Sequence, residues 1–301
     1  MANLKDIKSR INSVNNTKKI TKAMKMVAAA KVKRAENTVK AGRPFSDELL
    51  HLFRKMAASV EEFSSKGLKF NRALGNYAAL LERREVKTEG IFVITSNKGL
   101  AGAYNANIIK ATLKRINDNT TNGIKTVIYP VGQKAVSSFK NKPGNYELKE
   151  GYISIATEPT VTGANLIAED ITEDFVSGKI DKIEIITTHF NNMMSYNVVN
   201  WEVLPVKVEK AEVHELDPVM EYEPSVHNIL QQIVPMYITN SIYQALLEAN
   251  ASELASRMTA MSAASNNAED MINTLTVDYN KARQWAITQE LVEIVSGAAA
   301  I

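Results

Sequence analysis

The sequence predicts an α/β fold combined with a long antiparallel coiled coil: the two chain ends form the coiled coil, and the middle forms the α/β domain. Near both ends, apolar residues recur at spacings of three and four, whereas strand-length apolar runs alternate with helical stretches between them. We therefore expect an N-terminal coiled-coil helix over residues 1–63 and a central α/β domain over 77–210. A C-terminal helix over 211–301 is expected to pair with 1–63.

The N-terminal helix is predicted by a stripe of mostly apolar positions. Its members are Leu4, Ile7, Ile11, Val14, Thr17, Thr21, Met24, Ala28, Val32, Ala35 and Val39, of which the two threonines continue it only weakly. Gly42 and Pro44 are expected to kink or interrupt this helix, because proline lacks the amide hydrogen that a helix interior needs. Residues 46–48, Ser-Asp-Glu, are typical of a fresh helix start, so we expect helix to resume there until about residue 63.

The C-terminal helix carries the clearest pattern in the chain. Twelve positions follow one another at alternating spacings of four and three: Leu247, Ala251, Leu254, Met258, Met261, Ser265, Ala268, Ile272, Leu275, Tyr279, Ala282 and Ala286. About five to six regular heptads predict a coiled coil rather than a surface helix. The helix is expected to begin near Ser225 and to be kinked by Pro235. Since so long a helix needs a packing partner, we expect it to pair with the N-terminal stripe.

The middle of the chain follows a connector predicted over 64–76. Strands are predicted at residues 90–95, 126–131, 152–156, 183–189 and 196–204, of which the third is short and the last is an edge strand or hairpin partner. Helices are predicted at 105–116, after Gly132 to about residue 140, and at 162–176. Strands that alternate with helices imply a small α/β domain with a largely parallel sheet.

The two ends carry opposite charge. Residues 1–43 hold twelve Lys/Arg and two Asp/Glu, whereas residues 212–301 hold three Lys/Arg and twelve Asp/Glu. Such asymmetry indicates that the ends interact with each other or with charged partners. A nucleic-acid partner would explain only the basic half, so we expect none. Lys18, Lys22 and Lys25 share one face of the first helix, and an acidic partner or plain solvation explains them equally well.

Composition excludes several classes of protein. The 301 residues are 45% hydrophobic and 23% charged, which is typical of globular chains and not of disordered ones. There is no cysteine, which excludes disulfides and thiol catalysis, and the four histidines are not spaced as metal ligands. No apolar run is long enough for a membrane-spanning helix, and there is no signal core, so we expect a soluble, cytosolic protein without a metal site.

Three features could be taken for functional sites. Gly99 and Gly102 follow a predicted strand, where α/β domains bind phosphates, but the segment matches no phosphate-loop motif and more simply shapes a turn. Glu169, Asp170, Glu173 and Asp174 are interpreted as a solvated helix face rather than catalytic carboxylates. The tail at 297–301 either frays or enters an apolar socket. We expect no catalytic residue, no cofactor and no small-molecule substrate.

Three segments resemble a known family. They are LKDIKSRINSVNNTKKITKAMKMVAAAK at 4–31, TSNKGLAGAYN at 95–105 and YNKARQWAITQELVEIVSGAAAI at 279–301. They resemble the gamma subunit of F-type ATP synthases, and the similarity runs the length of the chain. The plant and cyanobacterial form carries a redox insertion with cysteines, which this chain lacks, so the resemblance is to the bacterial type without thiol regulation.

The resemblance implies an assembly. The central domain would be Rossmann-like, and the coiled coil would be a rotor shaft inside a ring of alpha and beta subunits. The α/β domain, with the epsilon subunit beside it, would stand on the c ring at the cytoplasmic face of the cell membrane. Ion flow would turn the chain and drive ATP synthesis at the beta subunits, or hydrolysis would drive the reverse, so the chain itself would not be an enzyme.

The resemblance also implies roles for individual residues. Those facing the beta subunit would be Lys22, Met24, Lys25, Arg257, Lys281, Arg283 and Gln284. Those at the apolar bearing at the top would be Gln289, Glu290, Ala298, Ala299, Ala300 and Ile301. Tyr222 would lie towards the c ring.

Two other classes of function stay open from the sequence. A coiled-coil scaffold or adaptor without energy coupling would share the same two-part plan, and its seam would pair between chains rather than within one. An enzyme would use the segment around Gly99 and Gly102 to bind a nucleotide.

Overall fold

Two long helices stand at the two ends of the described sequence, and the strands of one five-stranded sheet lie between them along the chain. A computed structural model describes residues 4–64, 80, 83–141, 144–206, 223 and 226–298. Helix α1 spans Leu4–Ser64 and the last helix, α5, spans Val226–Ala298. The chain divides into two compact units, one of residues up to Ala30 and from Arg257 onward, the other of Lys31–Ser256. The connector predicted at 64–76 lies almost wholly outside the described residues.

The first unit is an antiparallel helix pair. Thr21 and Ala28 on α1, and Met261 and Ala268 on α5, are buried at spacings of one heptad. All twelve positions of the predicted α5 stripe are buried or half-buried, nine of them in this unit, from Met258 to Ala286, and three in the second unit, from Leu247 to Leu254. This confirms the predicted seam.

One seam position on α1 differs from the prediction. Thr17 is exposed, and Lys18 occupies the seam in its place with a half-buried side chain. The Lys18 ammonium lies 3.2 Å from the carboxylate of Glu269. A lysine serves here because its aliphatic stem packs along the seam while the charged end reaches a carboxylate.

The predicted interruption of α1 at Gly42 and Pro44 is wrong, and so is the predicted fresh start at 46–48, because α1 is continuous. Contacts from α5 hold the helix on both sides of the proline: Arg43 pairs with Glu248, and the Asn240 amide donates to the Ser46 hydroxyl at 2.8 Å. Tertiary packing thus overrides the local cost of a proline in a helix interior. Pro235 likewise lies inside α5.

The second unit contains the sheet. Its strands are β1 Thr88–Ile94, β2 Lys125–Val131, β3 Glu147–Leu148, β4 Lys182–Asn192 and β5 Ser195–Leu204. Their order in the sheet is β3-β2-β1-β4-β5, with all neighbours parallel except β4 and β5. The shorter helices among the described residues are α2 Tyr104–Thr121, α3 Gln133–Lys140 and α4 Val161–Val176. This order is that of a doubly wound, Rossmann-like sheet.

The third strand was predicted in the wrong place. Residues 152–156 form turns, in which Tyr152 makes only an isolated parallel bridge to Val131, and the strand beside β2 is Glu147–Leu148. A two-residue strand carries too few apolar positions to give a period-two pattern.

The core lies on both faces of the sheet. Ile91 and Val93 of β1 pack with α2 and α3, whereas Phe92 and Ile94 pack on the other face with α4 and α5. This alternation follows from the period of two along a strand. Since both faces are covered, β1 and β2 carry continuous apolar runs, at 90–94 and 127–131, rather than alternating ones, as in other parallel sheets.

Candidate functional site

The loop between β1 and α2 holds Gly99 and Gly102 and is ordered by its own side chains. The Asn97 side-chain amide donates to the carbonyl of Ile153 at 2.8 Å, and its carbonyl accepts from the backbone N–H of Gln133 at 2.8 Å. The Ser96 N–H donates to Asn105 Oδ1 at 3.0 Å. Leu100, with a φ of 65°, and Gly102, with a φ of 53°, make the tight turn. These bonds support the interpretation of this segment as a structured turn.

The acidic residues of α4 are partly structural. Glu169, Asp170 and Glu173 are exposed, as the solvated-face interpretation predicts, but the Asp174 side chain is only 13% exposed. The Tyr129 hydroxyl donates to Asp174 at 2.6 Å, and Lys179 lies 2.9 Å away. Prediction of a solvated face is therefore wrong for Asp174, because the end of α4 lies against β2.

The electrostatics around Asp174 follow from these contacts. Burial raises the pKa of its carboxyl, but the hydrogen bonds from Tyr129 and Lys179 and the charge of Lys149 outweigh burial, so the pKa lies below its ordinary value. Burial, with the Asp174 carboxylate as acceptor, raises the pKa of the Tyr129 phenol. Tyr129 therefore stays a protonated donor and Asp174 an ionised acceptor. The pair bonds α4 to β2 and is a structural contact rather than a catalytic acid–base pair.

The residues assigned to the beta subunit lie on the helix pair of the first unit. Lys22, Lys25, Lys281, Arg283 and Gln284 are exposed, whereas Met24 and Arg257 are half-buried. Met24 occupies the seam of α1, between the buried positions Thr21 and Ala28. Its role within the pair is therefore packing, while the neighbouring lysines present charge outward.

The residues assigned to the bearing lie at the end of α5. Gln289, Glu290 and Ala298 are exposed. Ala299, Ala300, Ile301 and Tyr222 lie outside the described residues.

An exposed apolar surface, which the heptad pattern did not predict, covers the last part of α5. Its members, each about half exposed or more, are Trp285, Ile287, Leu291, Val292, Ile294 and Val295. A signal was available: the seam pattern stops at Ala286, yet large apolar residues continue beyond it. A patch of this kind is typical of a surface that contacts another molecule.

Metal-binding clusters and membrane-spanning helices are both absent from the part of the chain that the structure describes. No group of three or more His, Asp or Glu side chains is placed to hold a metal ion. Among the helices of these residues, none contains a stretch of 18 residues hydrophobic enough to span a bilayer.

Comparison with known proteins covers the whole chain. A family model described as ATP synthase matches residues 3–301. The ATP synthase gamma chain of Synechococcus sp. (strain WH7803) is 39% identical over 328 aligned residues, with 100% of both chains covered. That of Picosynechococcus sp. (strain ATCC 27264 / PCC 7002 / PR-6) is 40% identical over 327, again with 100% of both covered. Both alignments exceed the 301 residues of this chain, so the relatives carry residues that it lacks.

Solved structures agree with the fold. A chain of the Tetrahymena thermophila mitochondrial ATP synthase, in its central stalk and c-ring structure, is 28% identical with a TM-score of 0.56, over 82% of this chain and 99% of that one. A chain of the Euglena gracilis mitochondrial enzyme shares the fold, with 17% identity and a TM-score of 0.60, over 99% of this chain and 94% of that one. By the match of its full length, the chain belongs to the ATP synthase gamma-chain family.

Proposed function

We propose that this chain is the central-stalk rotor subunit of an F-type ATP synthase, a non-catalytic subunit that couples ion-driven rotation of the c ring to ATP synthesis or hydrolysis at the beta subunits. The observation that carries the proposal is the match to gamma chains from end to end, both paired helices and α/β domain included. The seam supports it further, since α1 and α5 pair within one chain, whereas a scaffold of the alternative kind would pair between chains.

The physical basis is asymmetry. Chemically equivalent catalytic sites can adopt different conformations at the same moment only if a partner contacts each of them differently. A ligand or partner shifts a conformational equilibrium only when it binds one conformation better than the other. A two-stranded coil is not round in cross-section, so each rotation angle presents a different face to a surrounding ring. The partners would be the alpha and beta subunits around the coil, and the epsilon subunit and c ring at the α/β domain.

The contact residues belong to this proposal. Charged and polar groups on the helix pair would meet the beta subunit: Lys22, Lys25, Arg257, Lys281, Arg283 and Gln284, with Met24 beside them. Gln289, Glu290 and the apolar end of α5 from Ala298 onward would enter the bearing, and Tyr222 would lie on the c-ring side. The domains would be 1–63, 77–210 and 211–301, and the complex would place this chain peripherally at the cytoplasmic face of the cell membrane.

Reconstitution tests the proposal. The wild-type chain, mixed with cognate alpha and beta subunits, should give a defined complex with one copy of this chain and ATPase activity well above that of alpha and beta alone. Arg257→Glu and Gln284→Glu should lower assembly or coupling, because each places a carboxylate where we expect the acidic surface of beta. Lys140→Glu, a charge reversal at an exposed position on α3, serves as the control. A wild-type chain that stays unbound and leaves turnover unchanged would contradict the proposal.

A further inference from the structure

Within the second unit, one stretch of α5 is tied to the α/β domain from two sides. We call this set of contacts the collar and define it by Arg43, Tyr104, Phe190, Glu248 and Ser256. The five residues come from α1, α2, β4 and α5, and nothing in the proposed function uses them.

The first side of the collar is a partly buried ion pair between Arg43 and Glu248, and both residues also hydrogen-bond to the backbone of β4 at Phe190. Arg43 donates to both carboxylate oxygens of Glu248, at 2.9 and 3.1 Å, and also to the carbonyl of Phe190 at 2.9 Å. The Phe190 N–H donates in turn to Glu248 at 2.7 Å. The Glu248 side chain is only 2% exposed, and Gln244 and His189 fill its remaining surroundings at 3.2 and 3.4 Å. One carboxylate therefore joins α1, β4 and α5.

The second side holds α5 to the first residue of α2 and to the turn before that helix. The buried Tyr104 hydroxyl donates to the carbonyl of Ala249 at 3.1 Å. The Ser256 hydroxyl donates to the carbonyl of Ala101, in the turn before α2, at 2.7 Å. Both bonds use backbone carbonyls, whose positions are fixed by the helix and the turn that carry them.

These contacts oppose rotation of α5 about its own axis. At about 100° per residue, Ala249 and Ser256 lie on nearly the same side of the helix, while Glu248 lies about 80–100° away from both. Ala249 and Ser256 are also separated by about 10 Å along the axis, at about 1.5 Å per residue. Because the contacts attach α5 at two different angles around its axis, they oppose rotation of the helix. Because the contacts of Ala249 and Ser256 are separated along the axis, they also oppose tilting of the helix.

The bonds are directional, which apolar packing is not. Leu247, Ala251 and Leu254 pack around Phe190, but hydrophobic contact is non-directional and tolerates small slips between surfaces. A bidentate guanidinium–carboxylate pair holds one geometry, and a hydrophobic replacement could equal its stability without its geometry.

We propose that the collar transmits torque between the α/β domain and the long helices, with Arg43 and Glu248 as its positioning residues. The inference rests on the proposed rotor function and names the residues through which torque passes between the α/β domain and the long helices. Helix α5 continues without a break beyond Ser256, so a twist applied at the collar is carried along the helix. A substitution that weakens the collar should therefore reduce the coupling of rotation to ATP turnover more than it reduces ATP hydrolysis itself.

The test uses the whole complex in membrane vesicles, with ATP hydrolysis and ATP-driven proton pumping measured on the same sample. Glu248→Gln removes the charge and keeps the side-chain shape. Lys40→Gln is the matched control, because it breaks a 2.8 Å ion pair to Glu36 that lies wholly within α1. We expect Glu248→Gln at least to halve the protons pumped per ATP while ATPase activity persists, and Lys40→Gln to leave this ratio unchanged.

A second measurement reads the collar directly. The chain has no cysteine, so spin labels at Met194→Cys, 85% exposed on the β4–β5 turn, and Met236→Cys, 49% exposed on α5, report one distance in the assembled complex. Glu248→Gln should broaden this distance distribution, and Lys40→Gln should not. A Glu248→Gln complex with wild-type pumping per ATP and wild-type distance width would overturn the inference.

Two further measurements separate a failure of the collar from a failure of the proposed rotor function. If Glu248→Gln does not assemble, Arg43→Lys decides, because it keeps the charge and loses the bidentate fork. We expect Arg43→Lys to lower pumping per ATP, and a normal ratio would refute the collar. A wild-type chain that assembles but does not couple would contradict the rotor function instead, whatever the distance widths show.

Discussion

Asp174 shows how single residues fix the α/β domain. The carboxylate accepts from Tyr129 and lies between Lys149 and Lys179, so the end of α4 is bonded to β2 and to the segment after β3. The sequence places four acidic residues together on α4 and gives no sign of which one turns inward. That choice depends on a tyrosine 45 residues away, so it could not be predicted from local pattern.

The pH dependence of stability follows from this site. Because the folded state holds the pKa of Asp174 below 3.8, the carboxylate stabilises the protein fully above that pH, and the contribution is lost as pH falls through the folded value. In urea titrations, the difference in free energy of unfolding between wild type and Asp174→Asn should be constant from neutral pH down to about pH 5. The difference should shrink below 3.8. A difference that does not change with pH would contradict the assignment.

Gly132 is a second position where a single residue fixes the α/β domain, because an added Cβ atom would clash with the backbone. Its φ is +87°, and a Cβ there would lie 2.4 Å from the backbone carbonyl oxygen of Thr95. Gly123 has a similar φ of +71°, but a Cβ there would meet nothing within 4 Å. The two glycines separate the cost of backbone conformation from the cost of a clash.

The matched pair gives a numerical prediction. Gly123→Ala should destabilise by about 1–2 kcal/mol, the cost of a left-handed conformation. Gly132→Ala should cost about 3 kcal/mol or more, since the turn between β2 and α3 must also shift. Urea unfolding measures both free energies, and equal losses would show that the close approach to Thr95 is unimportant.

At the scale of elements, the seam was the most predictable feature. Its signal repeats every seven residues, so it needs only local sequence, and all twelve α5 positions were identified correctly. The central strands were also predicted, because strands buried on both faces are continuous apolar runs. The features that the sequence did not predict depend on contacts between distant residues. Helix α1 continues through Pro44 because Glu248 and Asn240 of α5 bond to Arg43 and Ser46 on either side of the proline. The collar joins residues up to 205 positions apart in the sequence.

Small residues in the seam set how closely the helices approach. Ala268 is 7% exposed, whereas Ala263 on the same helix is exposed. Ala268→Leu should destabilise by about 1–3 kcal/mol through overpacking. Ala263→Leu should change the free energy of unfolding by about 0.5 kcal/mol or less. Urea titration of both variants checks this, and equal effects would show that Ala268 does not lie in a packed seam.

At the scale of the whole molecule, the opposite charges of the chain ends are only partly explained by pairing. Lys18 with Glu269 and Arg43 with Glu248 join the basic and acidic ends. Lys22 and Lys25 are exposed, and so is the apolar surface from Trp285 to Val295. A basic face and an uncovered apolar end on the same helix pair are what contact with a surrounding assembly would require. The candidate contact residues rest on family resemblance and stay predictions, because the surfaces that they would meet lie on other chains and no single sequence reveals those surfaces.

Rotation is the most direct test of the central claim. A single cysteine at Met194 in this cysteine-free chain allows a bead to be attached, with the alpha and beta subunits fixed to a surface. On addition of ATP, the account predicts stepwise rotation in one direction, which stops when ATP is withdrawn. ATP hydrolysis by a complex that contains this chain, with the bead showing only undirected fluctuation, would contradict the claim that the chain is a rotor.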